Sequence, residues 1–353
     1  MSQPGAVIVG ISGPSSSGKT TLARLLQRVF CGVSLGEKKS DANARNLNTF
    51  IIHEDDFYYP DDKIPYTTTP SGSTIQDWDT AAAIDTAFLA QALQYVREHG
   101  TLPPRLRSKE DLNEDSGSGV ADTVVAELRE GVARKFAATS VEGNKKPTTM
   151  AFLEGFLLYS PSTENHNHNH NNNQNNALRP VHDIIHLRLF LPASYSTVKS
   201  RREGRSGYVT IGPAPAPPST NTTTTTTTTS TDGTTDTKID LHQEDDRPPQ
   251  NFWTDPPGYV DDIVWPRYVR DHAWLLLPDS DTNSNINSNP NSDPNQPLHL
   301  MDLDDAELLR WVGDGTRLRT DAGVEVAPGW GRWTMEEVLR WAVERVVGYY
   351  LAQ

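Results

Sequence analysis

The chain of 353 residues carries 32 lysines and arginines against 46 aspartates and glutamates, a formal net charge of −14. That balance excludes a generally basic, nucleic-acid-binding surface but not a local cationic pocket for phosphate. The single cysteine, Cys31, excludes an intramolecular disulfide and a multi-cysteine zinc site; with no secretory leader pattern and no apolar run of membrane-spanning length, the expectation is a soluble protein of a reducing compartment, the cytoplasm or the nucleus.

In chain order, the β-branched apolar run over 6–9 predicts a buried strand, and the apolar spacing over 22–30 predicts a helix. Between them, residues 13–20 read G-x-x-x-x-G-K-T, the phosphate-binding loop in the strand–loop–helix setting it needs. Gly13, Ser15, Ser16, Ser17, Gly18, Lys19, Thr20 and Thr21 are therefore the candidate nucleotide site. Glycines let successive N–H groups turn inward as an anion nest, and the helix N-terminus adds partial positive charge. Lys19 can reach the β- and γ-phosphates, and Thr20 can place its hydroxyl on Mg²⁺.

Residues 32–48 are polar and aperiodic, a surface insertion. The strand predicted over 49–53 runs into Glu54-Asp55-Asp56-Phe57, two aspartates at a strand's C-terminal end, where open α/β sheets build their sites. Residues 61–78 read as loop, and 80–99 as a helix with Ala83, Ala87, Ala90, Leu93 and Val96 facing inward. After an excursion over 102–118 come a helix over 120–138 and a strand over 149–153, with Glu154 at its end. An Asn/His tract fills 162–177, a strand is predicted over 184–191, and a helix from 194 leads to Arg201, Arg202, Arg205 and Tyr208. Residues 211–250, with the threonine run 222–229, hold too little apolar content to offset the cost of ordering. A helix over 259–274, a short strand over 274–277 and an Asn/Ser/Asp/Pro-rich stretch over 279–297 precede a last helix from 334 to 351, capped by Thr334 and Glu337.

Strands alternating with helices predict an α/β protein of the P-loop NTPase fold, a mostly parallel sheet with helices on both faces. The domain prediction is one kinase domain over 1–353, decorated by insertions at 32–48, 102–118, 162–177, 211–250 and 279–297. Phosphoryl transfer to an alcohol needs a carboxylate within hydrogen-bond reach of the attacking hydroxyl, a role open to Asp55 or Asp56. Glu154 is placed to face the magnesium, and the three arginines can close over transferring phosphates. The alternating His166, His168 and His170 read as low-complexity expansion, and Trp311, Trp330, Trp333 and Trp341 as core or helix-packing residues.

The loop from Ser12 to Thr20, Asp55-Asp56-Phe57, Trp78-Asp79, Glu154-Gly155-Phe156-Leu157-Leu158, Arg201 to Tyr208, and Asp255-Pro256-Pro257-Gly258-Tyr259 with Val264-Trp265-Pro266-Arg267-Tyr268 resemble the nicotinamide riboside kinases. These are relatives of uridine kinase among the P-loop nucleoside and nucleotide kinases. The resemblance implies an ATP-dependent phosphotransferase of NAD salvage acting on the ribose 5′-hydroxyl of nicotinamide riboside or nicotinic acid riboside. It implies Asp55 as general base with Lys19 as its catalytic partner, and Thr20 and Glu154 as holders of Mg²⁺. Asp79 and Arg202 would grip the ribose hydroxyls, Asp56 would lie at the substrate, and Arg205 would contact phosphate. Trp78, which stands where the family carries tyrosine, and Tyr208 would sandwich the cationic pyridinium ring, a contact that cation–π attraction favours. Two alternatives remain: a uridine/cytidine kinase, and a non-catalytic nucleotide-binding regulator whose insertions recruit partners.

Overall fold

The computed structural model describes residues 5–35, 45–106, 108, 117–138, 146–161, 177–210, 212, 241–242, 251–276, 322–329 and 331–353. The first half runs β1 (Ala6–Ser12), α1 (Lys19–Phe30), β2 (Asn48–His53), β3 (Tyr66–Thr68), β4 (Thr74–Gln76), α2 (Thr86–His99) and α3 (Asp122–Ala138). The second runs β5 (Thr149–Gly155), α4 (Arg179–Ile184), β6 (Leu187–Phe190), α5 (Tyr195–Glu203), β7 (Tyr208–Thr210), β8 (Asn251–Trp253), α6 (Trp265–Leu276), β9 (Glu325–Val326) and α7 (Met335–Leu351). Five strands form a parallel sheet in the order β2-β5-β1-β6-β9, and two antiparallel ribbons, β3–β4 and β7–β8, stand apart from it. No helix among the described residues is long and apolar enough to cross a membrane.

Strand β1 is buried throughout, and its alternating side chains feed two cores. Val7, Val9 and Ile11 pack with Leu22, Leu26 and Phe30 of α1, Phe136 of α3 and Leu339 and Val346 of α7. Ala6 and Ile8 face the other way, with Leu89, Leu93 and Val96 of α2 and Val269 of α6. The sheet is thus covered on both faces, as the sequence predicts.

The helix predicted from 80 begins at Thr86 because the Asp85 carboxylate accepts the Phe88 N–H and caps it; Ala81–Ala83 form a separate 3-10 turn. Its buried residues are Phe88, Leu89, Ala92, Leu93 and Val96, while Ala87 is exposed: the inner stripe is set by the bulkier side chains. The loop expected over 61–78 contains the ribbon β3–β4. The strand expected from 184 starts only at Leu187, because α4 runs to Ile184. The short strand expected over 274–277 is corrected: α6 remains helical to Leu276. Thr334 and Glu337 do form the capping box. Trp341 is buried, whereas Trp333 is 38% exposed; Trp311, Trp330 and the histidine tract lie outside the described residues.

Described parts of the predicted insertions make definite contacts. Val33 and Leu47 are buried, and the Leu47 N–H donates to the Val33 carbonyl. Leu241 accepts the Arg105 N–H, and the His242 ring meets Tyr95 edge-on at 5.7 Å.

Candidate active site

The site sits at the C-terminal ends of the parallel strands. The loop between β1 and α1 makes its floor. Gly13 (φ 152°) and Gly18 (φ 99°) hold left-handed conformations, and a Cβ at Gly13 would collide with the Leu191 carbonyl. No side chain caps the α1 N-terminus at Gly18, which suits a helix end that receives an anion. Lys19 Nζ donates to the Pro14 carbonyl at 3.0 Å. Burial lowers its pKa, against the opposing pull of Glu154 and Asp55.

Register explains the acidic cluster. His53 of β2, Glu154 of β5 and Ile11 of β1 are Cα partners across adjacent parallel strands, so the His53 and Glu154 side chains share one face. Glu154 Oε1 lies 2.7 Å from His53 Nδ1 and accepts the Thr20 hydroxyl at 3.0 Å. Burial works against charge on Glu154, but these bonds and Lys19 bring its pKa below the usual value. Beyond β2, Glu54–Phe57 form a 3-10 turn. Successive side chains of that turn point in different directions: Asp55 enters the cavity, while Asp56 is buried outside its lining. Burial, reinforced by Glu154, raises the Asp55 pKa to about 6. Glu54 turns inward beneath Gly155, where Oε2 accepts the Leu157 N–H at 3.0 Å, and burial raises its pKa to about 8.

The cavity extends from this cluster over about 860 Å³, its open mouth included. Five aromatic side chains line it: Tyr58, Trp78, Phe156, Tyr208 and Trp253. Trp78 lies 5.3 Å from Tyr58 and 5.6 Å from Trp253, centroid to centroid. Residues 77–79 are held one by one. Arg267 pairs with Asp77, the Tyr259 hydroxyl accepts the Trp78 N–H at 2.9 Å, and Arg202 grips both oxygens of Asp79 at 2.9 and 3.1 Å. Arg202 also donates to Asp255 at 2.7 Å. Burial opposes its charge, but Asp79, Tyr208 and Asp255 outweigh that and raise its pKa.

Of the residues singled out from sequence, Ser15, Ser16, Lys19, Thr20, Asp55, Trp78, Asp79, Glu154, Arg202, Arg205 and Tyr208 line one cavity. Gly13, Ser17, Gly18, Thr21 and Asp56 do not line it; the two glycines shape the loop instead. Arg201 donates to the Ser16 carbonyl at 3.1 Å, tying α5 to the loop. Tyr208 already faces Arg202 and Arg205, each 5.2 Å from its ring, so the aromatic surface on the Trp78 side is the better face for a cationic ring. Sequence reasoning missed Tyr58, Phe156, Trp253, His53 and Glu54. A histidine at a strand end two residues before a candidate base was a usable signal for His53.

The polar atoms suit a phosphorylated ligand and its cation. Ser16 Oγ, Trp78 Nε1 and the Tyr208 hydroxyl are buried without a hydrogen-bond partner in the cavity wall. Among the described residues no group of three His, Cys, Asp or Glu side chains forms a cation cage. Magnesium needs none: it binds one or two carboxylates and completes its shell with water and phosphate oxygens, a demand Thr20 and Glu154 fit.

No family model matches the chain. It is 29% identical to a nicotinamide riboside kinase of Schizosaccharomyces pombe over 271 residues, 77% of this chain and 81% of the relative. It is 26% identical to that of Eremothecium gossypii, over 77% of this chain and 78% of the relative. The chain is a relative of the nicotinamide riboside kinases. A third such kinase, from Saccharomyces cerevisiae, is 23% identical over 78% of this chain and 82% of the relative. The similarity to these kinases therefore extends well beyond the phosphate loop.

Proposed function

We propose that this protein transfers the γ-phosphoryl group of ATP to the ribose 5′-hydroxyl of nicotinamide riboside, with nicotinic acid riboside as a second candidate acceptor. One observation carries the reading: Lys19, Thr20, Asp55 and Glu154 line the same cavity as Trp78 and other aromatic side chains and the Arg202–Asp79 pair. The loop amides and the uncapped α1 N-terminus hold the triphosphate, and Lys19 follows the charge on the moving phosphoryl group. Thr20 and Glu154 hold Mg²⁺, which supplies positive charge to the phosphates when bound. Asp55 accepts the proton of the 5′-hydroxyl; a pKa near 6 leaves it ionised at neutral pH yet basic enough for the task. Asp79 and Arg202 orient the ribose, and Trp78 with its aromatic neighbours receives the pyridinium ring.

The test is a nucleoside panel with ADP formation as readout, run on the wild type and on Trp78→Ala. Nicotinamide riboside should be the preferred acceptor. Its KM should rise by roughly fivefold or more in Trp78→Ala, because a desolvated cation–π contact contributes about 1–2 kcal/mol, while the KM for uridine changes less. Preference for uridine or cytidine would replace this reading with a pyrimidine nucleoside kinase. ATP binding with no turnover of any nucleoside would replace it with a regulator.

A further inference from the structure

The ribbon β7–β8 supplies Tyr208, Val209, Thr210 and Trp253 to the cavity wall; Trp253 is held there by Asp255 and Trp78, and Tyr208 by Arg202 and Arg205, but no tight turn closes the other end of the ribbon. It consists of three residue pairs, Tyr208↔Trp253, Val209↔Phe252 and Thr210↔Asn251. Its strands are joined by the 40 residues 211–250, where ordinary hairpins use about two to five. Two-stranded ribbons are marginal in water even with a tight turn, and here Phe252 remains 54% exposed.

We infer that Asp61 is a positioning residue: it clamps the open end of the β7–β8 ribbon and so holds Tyr208 and Trp253 in the substrate cavity. Its Oδ2 accepts the Thr210 hydroxyl at 2.9 Å and the Asn251 side-chain amide at 2.8 Å, and these two residues are the last pair of the ribbon. Its Oδ1 accepts the Gly212 N–H at 3.1 Å, and its own N–H donates to the Gly212 carbonyl at 2.9 Å. The clamp is itself anchored, since the Asp61 carbonyl accepts the Gln76 side-chain amide at 2.6 Å from β4. One carboxylate that receives donors from both strands does at the open end what a two-residue turn does in a short hairpin. The long connection can then leave the ribbon without setting its register.

The test combines Asp61 variants with removal of the connection. Asp61→Ala and Asp61→Asn are made in the full chain and in a chain where Asn-Gly, a turn that closes antiparallel pairs by itself, replaces residues 211–250. In the full chain, Asp61→Ala should raise the KM for nicotinamide riboside by about tenfold or more, as loss of charge-assisted hydrogen bonds does, with kcat changed less. Asp61→Asn should fall between, because its amide keeps one acceptor oxygen. In the Asn-Gly chain the same substitutions should change KM by less than about twofold, because the turn now fixes the pairing. An unchanged KM in full-length Asp61→Ala, or an equal rise in both chains, overturns the inference.

The assay rests on the kinase reading, so amide exchange provides a readout independent of it. Full-length Asp61→Ala should lose protection across β7 and β8 while β1 and β5 keep theirs. Unchanged protection of the ribbon overturns the clamp whatever the substrate proves to be, and a wild type that phosphorylates no nucleoside overturns the function alone. That readout also applies if the Asn-Gly chain does not fold.

Discussion

At the phosphate end, Thr20, His53 and Glu154 stand on α1, β2 and β5, and the pairing of parallel strands brings His53 beside Glu154. At the acceptor end, residues 77–79 belong to no strand, and each is held by a side chain distant in sequence, Arg267, Tyr259 and Arg202, with Tyr58 on the Trp78 carbonyl and the Pro65 carbonyl on the Asp77 N–H as further contacts. The first end inherits its geometry from a backbone ladder with many redundant bonds. The second depends on a few side-chain contacts outside the sheet, so a substitution there can move it while the sheet stays intact. The phosphate end should thus lose catalysis without losing shape, and the acceptor end should lose substrate affinity.

Lys19→Ala gives the sharpest form of that contrast. Turnover should fall by roughly a thousandfold, as expected when a group that stabilises transition-state charge is removed. Melting temperature should hold or rise, because burial already disfavours the lysine's charge and, among the described residues, its side chain donates to Pro14 of its own loop. A collapse of Tm alongside activity would give Lys19 a structural role and blur the comparison.

Next comes the base. Asp55→Asn should lower kcat by about a hundredfold or more, typical of losing general-base catalysis, with riboside KM little changed. Asp56→Asn should be much milder in kcat, because that side chain lies outside the cavity lining. Wild-type kcat should decline as pH falls through about 6, where Asp55 takes up a proton, and the decline should be missing in Asp55→Asn. A dead Asp56→Asn beside an active Asp55→Asn would reverse the assignment.

At the acceptor end, Arg202→Lys keeps the charge but cannot span Asp79 and Asp255 together. The KM for riboside should rise by about tenfold, with a measurable fall in Tm, because breaking a buried pair typically costs about 3–5 kcal/mol. Unchanged KM would show that the pair is purely structural.

The smallest effect concerns Glu54, whose pKa is raised by burial to about 8. The folded state holds this proton more tightly than the unfolded state, so the associated stability is complete below about pH 4.5 and is lost as pH rises through 8. Glu54→Gln keeps an acceptor for the Leu157 N–H and has no charge to bury. Its Tm should match the wild type near pH 4.5 and exceed it above pH 8 by at least roughly 2 °C, the shift that 1 kcal/mol produces in a domain of this size. A Tm difference that does not vary with pH would mean that Glu54 is not held protonated.

The phosphate end was legible in the sequence because its conformation follows from residue types at fixed spacing. Glycines supply the left-handed turns, and the apolar periods on either side declare a strand and a helix. The acceptor end was legible only in part. Trp78, Asp79, Arg202 and Tyr208 came through resemblance, while Tyr58, Phe156 and Trp253 arrive from three separate segments that only the fold assembles. Tyr208 and Trp253 are direct cross-strand partners, but 211–250 separates them in the chain. The ribbons themselves are three residues to a strand, too short for alternation to stand out from loop. At 274–276 the apolar run suggested a strand, whereas the helix already under way simply continued.

The glycine after Glu154 carries a consequence for the history of this protein. A Cβ at Gly155 would collide with the carboxylate and Cβ of Glu54, both of which sit against it. Positions 54 and 155 therefore cannot drift independently. Any lineage that acquires a side chain at 155 must first place glycine at 54 or bend the turn that carries Asp55. Across a family, the two positions are expected to covary, and the order of change is constrained as well as the pairing.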